Sequence, residues 1–319
     1  MKEPDEMKKD NWERELIESL ASDALTEKRR ARRWSIFFKL LTFAYLGLLL
    51  YLLIPDEDLD LNKGPGKDHV ALIELQGVIE PTGEASADLV NRGLRKAFKS
   101  KHTKAVVMRI NSPGGTPVQA SLINSEIRRL REKHEDIPFY VVVEDMCASG
   151  GYYVAAAADR IFVNESSIVG SIGVLMNGFG FTGAMDKLGV ERRLLTAGEH
   201  KGILDPFSPL SPEDLDLADK LLQEIHAAFI TAVKEGRGDR LSDDGDLFSG
   251  LFWTGSRAIE LGLADEVGDL GHVAREVVGI EKVVDFTAEE DPFERLADRI
   301  GIAGAEALAR LAGWVPGFR

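Results

Sequence analysis

From His69 onward, short apolar runs alternate with stretches in which apolar residues recur every three or four positions. The run HVALIELQGVIE predicts a strand, SADLVNRGLRKAFKS an amphipathic helix, KAVVMRI a second strand and PVQASLINSEIRRLREKH a helix of roughly five turns. PFYVVVE reads as a buried strand, SGGYYVAAAA as a helix, DRIFV as a strand and ERRLLTAG as one more. Strands alternating with helices build parallel sheets whose faces the helices cover, so the pattern predicts a layered α/β domain. Two later helices follow from their end signals. SPEDLDLADKLLQEIHAAFITAVKEGRG opens with Ser211 as N-cap, Pro212 in the first turn and Asp214 three residues on, and it stops at Gly236 and Gly238. TGSRAIELGLADEVGD predicts a helix that runs into a Gly-rich turn.

Upstream the pattern changes. Ile36 to Ile54 is apolar apart from Lys39 and Thr42, long enough as a helix to cross roughly 30 Å of hydrocarbon, with Lys39 near enough to the basic end to snorkel. Arg29, Arg30, Arg32 and Arg33 precede this run, whereas Asp56, Glu57, Asp58 and Asp60 follow it. The asymmetry predicts a cytoplasmic N-terminus with the bulk of the chain outside. No A-x-A-like cleavage site follows, so the run is expected to stay as an anchor. The expected organisation is a cytoplasmic helical tail (1–33), a transmembrane anchor (34–54), a linker (55–68), a globular body (69–288) and a C-terminal amphipathic helical tail (289–319).

Composition narrows the function. At 319 residues and 44% hydrophobic, the chain can bury a full core. A net charge of −14 argues against a nucleic-acid partner, because affinity for phosphate backbones comes from dense Lys and Arg. The single cysteine, Cys147, rules out an intrachain disulfide, and the six His show neither HExxH nor paired Cys/His spacing. Neither a metal nor another cofactor is expected.

Candidate chemistry sits at two strand-to-helix junctions. In DMCASGGYY, the small residues Ser149, Gly150 and Gly151 open a helix whose free N–H groups can stabilise negative charge. Ser149 stands either as a nucleophile or as an ordinary helix cap, and from this stretch alone the cap is the commoner reading. Cys147 is a rival nucleophile without an evident His partner. In VVMRINSPGGTPVQA, Pro113-Gly114-Gly115 repeats the device; N–H groups of such a loop can hold an oxyanion, worth about 3 kcal/mol per donor, and an ordinary turn accounts for it equally well. Gly114 is the first donor to name. For a base, LTAGEHKGILDPFSP offers His200 beside Lys201, and spacing leaves both Ser-His-Asp and Ser-Lys open. A lysine base must fall about three units from 10.4, which desolvation can drive, and Glu199 must then point away.

INSPGG, DMCASGGYYVAAAADRIF, VGSIGV, DKLGV, AGEHKGILDPF and GLFWTGSRAIELGLADEVG together resemble the signal peptide peptidase A family, across roughly His69 to Gly271. The resemblance implies a crotonase-like, Clp-protease-like layered fold and a membrane-anchored serine endopeptidase. It implies Ser149 as nucleophile, Lys201 as general base, Ser171 as the hydroxyl that positions the lysine amine, and Gly114 with the N–H of Gly150 as oxyanion hole. Ile172, Val174 and Leu175 are expected to line a groove for small or aliphatic side chains of peptides such as released signal peptides. With one Ser motif and one Lys motif, the chain is similar to the short form, which implies a ring-like homo-oligomer whose Ser and Lys come from adjacent subunits. The implied location is the bacterial inner membrane, with the body in the periplasm. Cys147 and Glu199 are modest departures, and His200 is left without a role. A crotonase-type acyl-CoA enzyme is weakened by the acidic body and its expected location; an inactive membrane-anchored scaffold is opposed by intact Ser149 and Lys201.

Overall fold

In a computed structural model of the chain, residues 28–30, 32–48 and 67–289 are described. The chain divides into two units, 1–65 and 66–319. In the first, residues 28–30 and 32–48 are helical, and the expected anchor continues into 49–54, outside the described residues. Among the described residues no helix is long and apolar enough to cross a membrane. Most of the expected linker and nearly all of the C-terminal tail also lie outside them.

The second unit begins β1 (His69–Ile79), α1 (Ala87–Lys99), β2 (Thr103–Gly115), α2 (Pro117–Lys133), β3 (Phe139–Ala148) and α3 (Gly150–Ala155). It continues β4 (Arg160–Val163), β5 (Ile168–Gly170), α4 (Thr182–Leu188), α5 (Pro212–Arg237), β6 (Phe252–Thr254), α6 (Gly255–Glu260), β7 (Glu266–Val267) and β8 (Val283–Asp285). All eight strands join one sheet with the path β6-β5-β3-β2-β1-β8, while β4 pairs with β3 and β7 with β4. Every pairing is parallel except β5 with β6. The alternation read from the sequence thus yields the α/β sheet it predicted.

Period-two alternation sorts the strand side chains between two layers. Ala71, Ile73 and Leu75 of β1, Val106, Met108 and Ile110 of β2 and Val141 and Val143 of β3 share one core with Leu94 and Phe98 of α1 and Ile123 and Ile127 of α2. Each such side chain, fully buried, contributes about 1.5–3 kcal/mol. Val70, Val107 and Val142 face the other way, into a smaller cluster with Phe162 and Val273. Along the same strands this second face turns polar, where the Arg109 Nε donates to Glu74 Oε2 at 3.0 Å and lies 3.4 Å from Glu144 Oε1.

The sheet also fixes where the chemistry stands. β3 changes partner along its length: Tyr140–Val142 pair with β4, whereas Met146–Ala148 pair with β5. The end of β3 is thereby held beside the end of β5, at the carboxyl ends of parallel strands, where open α/β sheets leave room for ligands. Helix α5 begins as its sequence dictates, with Ser211 Oγ accepting from the Asp214 N–H at 3.0 Å, and ends at Gly238 with φ +55°. Its last residue, Arg237, is buried and forms a bidentate pair with Asp265 at 2.8 and 2.9 Å, tying α5 to the segment that leads into β7.

The expected strand ERRLLTAG does not form. Residues 191–198 are irregular and exposed, Leu195 at 95%, with no strand alongside to take their backbone groups. An apolar run becomes a strand only where a ladder and a covering layer await it, and this chain offers that run neither.

Candidate active site

Ser149 stands between β3 and α3 with φ 52° and ψ −121°. A positive φ on a residue with a Cβ costs on the order of 1–3 kcal/mol and persists only where the surroundings impose it. Here they do: the Ser149 N–H donates to the Gly170 carbonyl at 2.8 Å, and its own carbonyl accepts from the Tyr153 N–H at 2.9 Å. The side chain makes no capping hydrogen bond. The helix-cap alternative therefore fails for the hydroxyl, which is left to face a cleft of about 860 Å³ that Ser149 and Gly150 help to line.

The described residues hold three non-glycine positions at positive φ, Ser149, Ser171 and Leu204, and the first two line this one cleft. Ser171 has φ 53°, and its N–H donates to the Leu251 carbonyl at 2.7 Å. Two constrained serines therefore flank one space, each set by the β3–β5 or β5–β6 ladder end beneath it. Val174 and Leu175 also line the cleft, together with Val118 and Leu122 of α2 and Ile225 and Phe229 of α5. Ile172, expected with them, is fully buried in the core instead, because Ser171 turns the strand and sends the next side chain inward. Its carbonyl accepts from His226 Nε2 at 3.1 Å, which puts the ring proton on that nitrogen.

Gly114 lies directly behind the serine. At φ +102°, a Cβ added there would stand 2.7 Å from the Gly150 nitrogen and 2.8 Å from the Ser149 Cβ, so only glycine admits this approach. Its N–H donates to Ser112 Oγ at 3.1 Å, and Ser112 Oγ donates to the Gly77 carbonyl at 2.6 Å. Gly115 is the glycine of this loop that lines the cleft. The N–H of Gly150 belongs to the first turn of α3, where helices lack internal acceptors.

Lys201 is exposed in a run of turns, its backbone N–H donating to Gly198 O at 3.2 Å, and it is not among the residues that line the Ser149 cleft. His200 and Glu199 share that exposed run. One copy of the chain thus brings Ser149, Ser171, Gly150, Val174 and Leu175 together and leaves Lys201 apart. Cys147, the rival nucleophile, is buried in the core, and burial pushes its thiol well above the ordinary range, so the reactive thiolate is withheld. Sequence reasoning gave no part to Tyr153 and Glu224, which line the cleft, or to Gly170 and His226, which hold its frame; Gly170 and Tyr153 lie within quoted motifs, whereas only the packing of α5 brings His226 and Glu224 here. No group of three or more His, Cys, Asp or Glu that could hold a metal occurs among the described residues.

Comparison with known proteins places this geometry in context. The model of peptidase family S49 matches residues 131–283. The chain is similar to a Brucella abortus (strain 2308) protein named Na(+)/H(+) antiporter NhaA, with 44% identity over 265 residues, covering 82% of this chain and 35% of that one. It is 29% identical over 262 residues to an Enterococcus faecium protein provisionally named signal peptide peptidase SppA, covering 80% of this chain and 74% of its relative. It is 32% identical over 221 residues to slr0021 of Synechocystis sp. (strain ATCC 27184 / PCC 6803 / Kazusa), provisionally named a protease, covering 67% of this chain and 78% of that one. The chain spans about a third of the length of the Brucella relatives it matches.

Proposed function

Since the chain belongs to peptidase family S49, in its signal-peptide-peptidase-like branch, we propose that it is a serine endopeptidase that cleaves peptide bonds through an acyl-enzyme on Ser149. The observation that carries this reading is the Ser149 hydroxyl itself: held at a strained φ, free of any capping bond and facing a largely apolar cleft beside the start of a helix.

In this reading Lys201 Nζ, neutral, takes the Ser149 Oγ proton as Oγ attacks the scissile carbonyl. The tetrahedral oxyanion is met by the Gly150 N–H and, in exchange for its hydrogen bond to Ser112 Oγ, by the Gly114 N–H. Collapse expels the amine half of the peptide, which receives the proton from Lys201, and water then releases the acyl half and restores Ser149 Oγ–H. Ser171 Oγ, on the same cleft, holds the lysine amine in place. Because one copy keeps Lys201 away from its own Ser149 cleft, the base comes from a neighbouring copy in a homo-oligomer, whose contact also shelters the amine from water. The proposal extends to a crotonase-like arrangement of the body, to a transmembrane anchor at 34–54, to a body on the periplasmic side of the bacterial inner membrane, and to cleaved signal peptides as substrates.

Separate Ser149→Ala and Lys201→Ala variants of the detergent-solubilised full chain, assayed with a fluorogenic apolar peptide, test the dyad. Loss of turnover in both is expected; turnover retained in either contradicts it.

A further inference from the structure

The cleft beside Ser149 is walled by apolar and small polar residues with one exception. Glu224, on the face of α5 that also presents Ile225, Ala228 and Phe229, is the single charged side chain among the residues that line it. Three other acids of this helix have local duties. Asp216 takes the Lys220 ammonium at 2.6 Å, Asp219 accepts from Gln223 Nε2 at 2.6 Å, and Glu235 pairs with Arg128 at 2.6 Å. Glu224 has none: Ala227 and Ala228 occupy the positions three and four residues on, where a helical cation would stand, and Lys220, four residues back, is engaged by Asp216. Among the described residues no ion pair or hydrogen bond engages its carboxylate.

Glu224 is exposed on this otherwise uncharged lining and engaged by no cation of its own chain, so a positive group on a peptide lying in the cleft can pair with it without displacing an existing partner. From this we infer that Glu224 is a specificity-determining residue: it selects peptides that carry a positive group beside an apolar stretch, either a Lys or Arg side chain or a free α-amino terminus. The apolar lining takes the apolar stretch and the carboxylate fixes its register. Both cationic sources present the same chemistry, an N–H-bearing cation donating to Oε1 or Oε2. For hydrolysis the inference rests on the peptidase reading; for binding it stands without it.

The test uses the detergent-solubilised full chain and a set of apolar peptides in which one position at a time is Lys or norleucine, which keeps the carbon chain and removes the ammonium. Each peptide is made with a free and with an acetylated N-terminus. For wild type, kcat/KM should favour the cationic member of one pair by about three- to tenfold, the range of an exposed to partly desolvated charge pair, and the preference should fall with added salt. In Glu224→Gln the ratio should fall to near one, and in Glu224→Lys it should invert. Which pair shows the effect, Lys against norleucine or free against acetylated, identifies the source of the cation. A ratio in Glu224→Gln equal to that of wild type at every position overturns the inference and leaves the peptidase reading untouched. The converse is read by binding: anisotropy of peptides labelled at the C-terminus, on Ser149→Ala with and without Glu224→Gln, should show the same charge preference and the same loss. If wild type cleaves nothing yet Ser149→Ala binds with a preference that Glu224→Gln removes, the inference holds and the peptidase reading fails. Should Glu224→Lys fail to fold, judged by circular dichroism, Glu224→Gln carries the comparison alone.

Discussion

The backbone N–H of Ser149 donates to the carbonyl of Gly170 at 2.8 Å, and the residue after that carbonyl is Ser171, the second strained serine of the cleft. One hydrogen bond therefore sets the spacing of the two hydroxyl-bearing residues. It exists because β3 exchanges β4 for β5 just before its end, so that Ala148 and Gly170 face each other in the last rung of the ladder. Gly170 itself has φ +114°, and a Cβ there would meet the Trp253 ring at 2.7 Å.

Substituting Gly170→Ala should thus push β5 away from Trp253 and move the carbonyl that holds Ser149. We expect kcat/KM to fall at least about 100-fold, because a misplacement of about 1 Å at a reacting group has that scale of consequence. Circular dichroism should still show a folded chain. Near wild-type turnover would mean that this bond does not set the serine's position.

Gly114→Ala makes the more local test. A methyl group there would collide with the Gly150 nitrogen and the Ser149 Cβ at a φ that alanine disfavours. Turnover should fall by about two orders of magnitude or more, the scale of removing an oxyanion donor. Gly238→Ala, which also places alanine at positive φ but with nothing within 4 Å of the added Cβ, should alter stability without abolishing turnover.

The proposed sharing of the site between copies predicts complementation. Ser149→Ala and Lys201→Ala chains, each inactive, should regain activity when mixed under conditions that let subunits exchange, since a mixed contact pairs an intact Ser149 with an intact Lys201. Roughly a quarter of wild-type turnover is the upper scale for random mixing if each contact has one donor of each kind. No recovery, with exchange verified by differently tagged chains, would place both groups in one copy.

Cys147 should be inert. Its thiol lies in the core with its pKa driven up by burial, so iodoacetamide should neither label the folded chain nor inhibit it, whereas the unfolded chain should be labelled. Inhibition by thiol reagents, with a matching adduct on Cys147 in folded protein, would return the cysteine to consideration.

Glu126 on α2 gives a pH dependence of known sign. Hydrogen bonds from Arg129 first, then Arg95, outweigh the opposing effect of burial and hold its carboxyl down at about 2. The unfolded chain titrates near the ordinary value of about 4.3. A group depressed on folding contributes stability above its unfolded pKa and loses it as pH falls through the folded one, here between about pH 4.5 and 2. Because both guanidinium groups are more than half exposed, we expect a contribution of about 1 kcal/mol rather than the full shift. Glu126→Gln should reduce the difference in melting temperature between pH 6 and pH 3; an unchanged difference would show that this trio contributes nothing.

The sheet and its covering helices were legible because their physics is local. Alternation in β1 to β3 and the Ser211 and Pro212 start of α5 each carry their signal within a few residues. The small-residue junction between β3 and α3 was legible for the same reason: only small residues fit where Gly114 passes behind Ser149. What could not be read depends on long-range partners. ERRLLTAG looks like a strand but finds no ladder, and Ile172 looks like a groove residue but is turned inward by the φ of Ser171. Glu224 looks like one more acid on a polar helix face, and only the packing of α5 beside α3 makes it the lone charge of the cleft.

The central claim is that Ser149 Oγ forms the covalent intermediate. Intact-mass and peptide-mapping spectrometry of the full chain treated with a fluorophosphonate measures this most directly. The account predicts one adduct per reactive site, on Ser149, absent in Ser149→Ala and strongly slowed in Lys201→Ala. An adduct on another residue, or labelling and peptide hydrolysis that persist in Ser149→Ala, would contradict it.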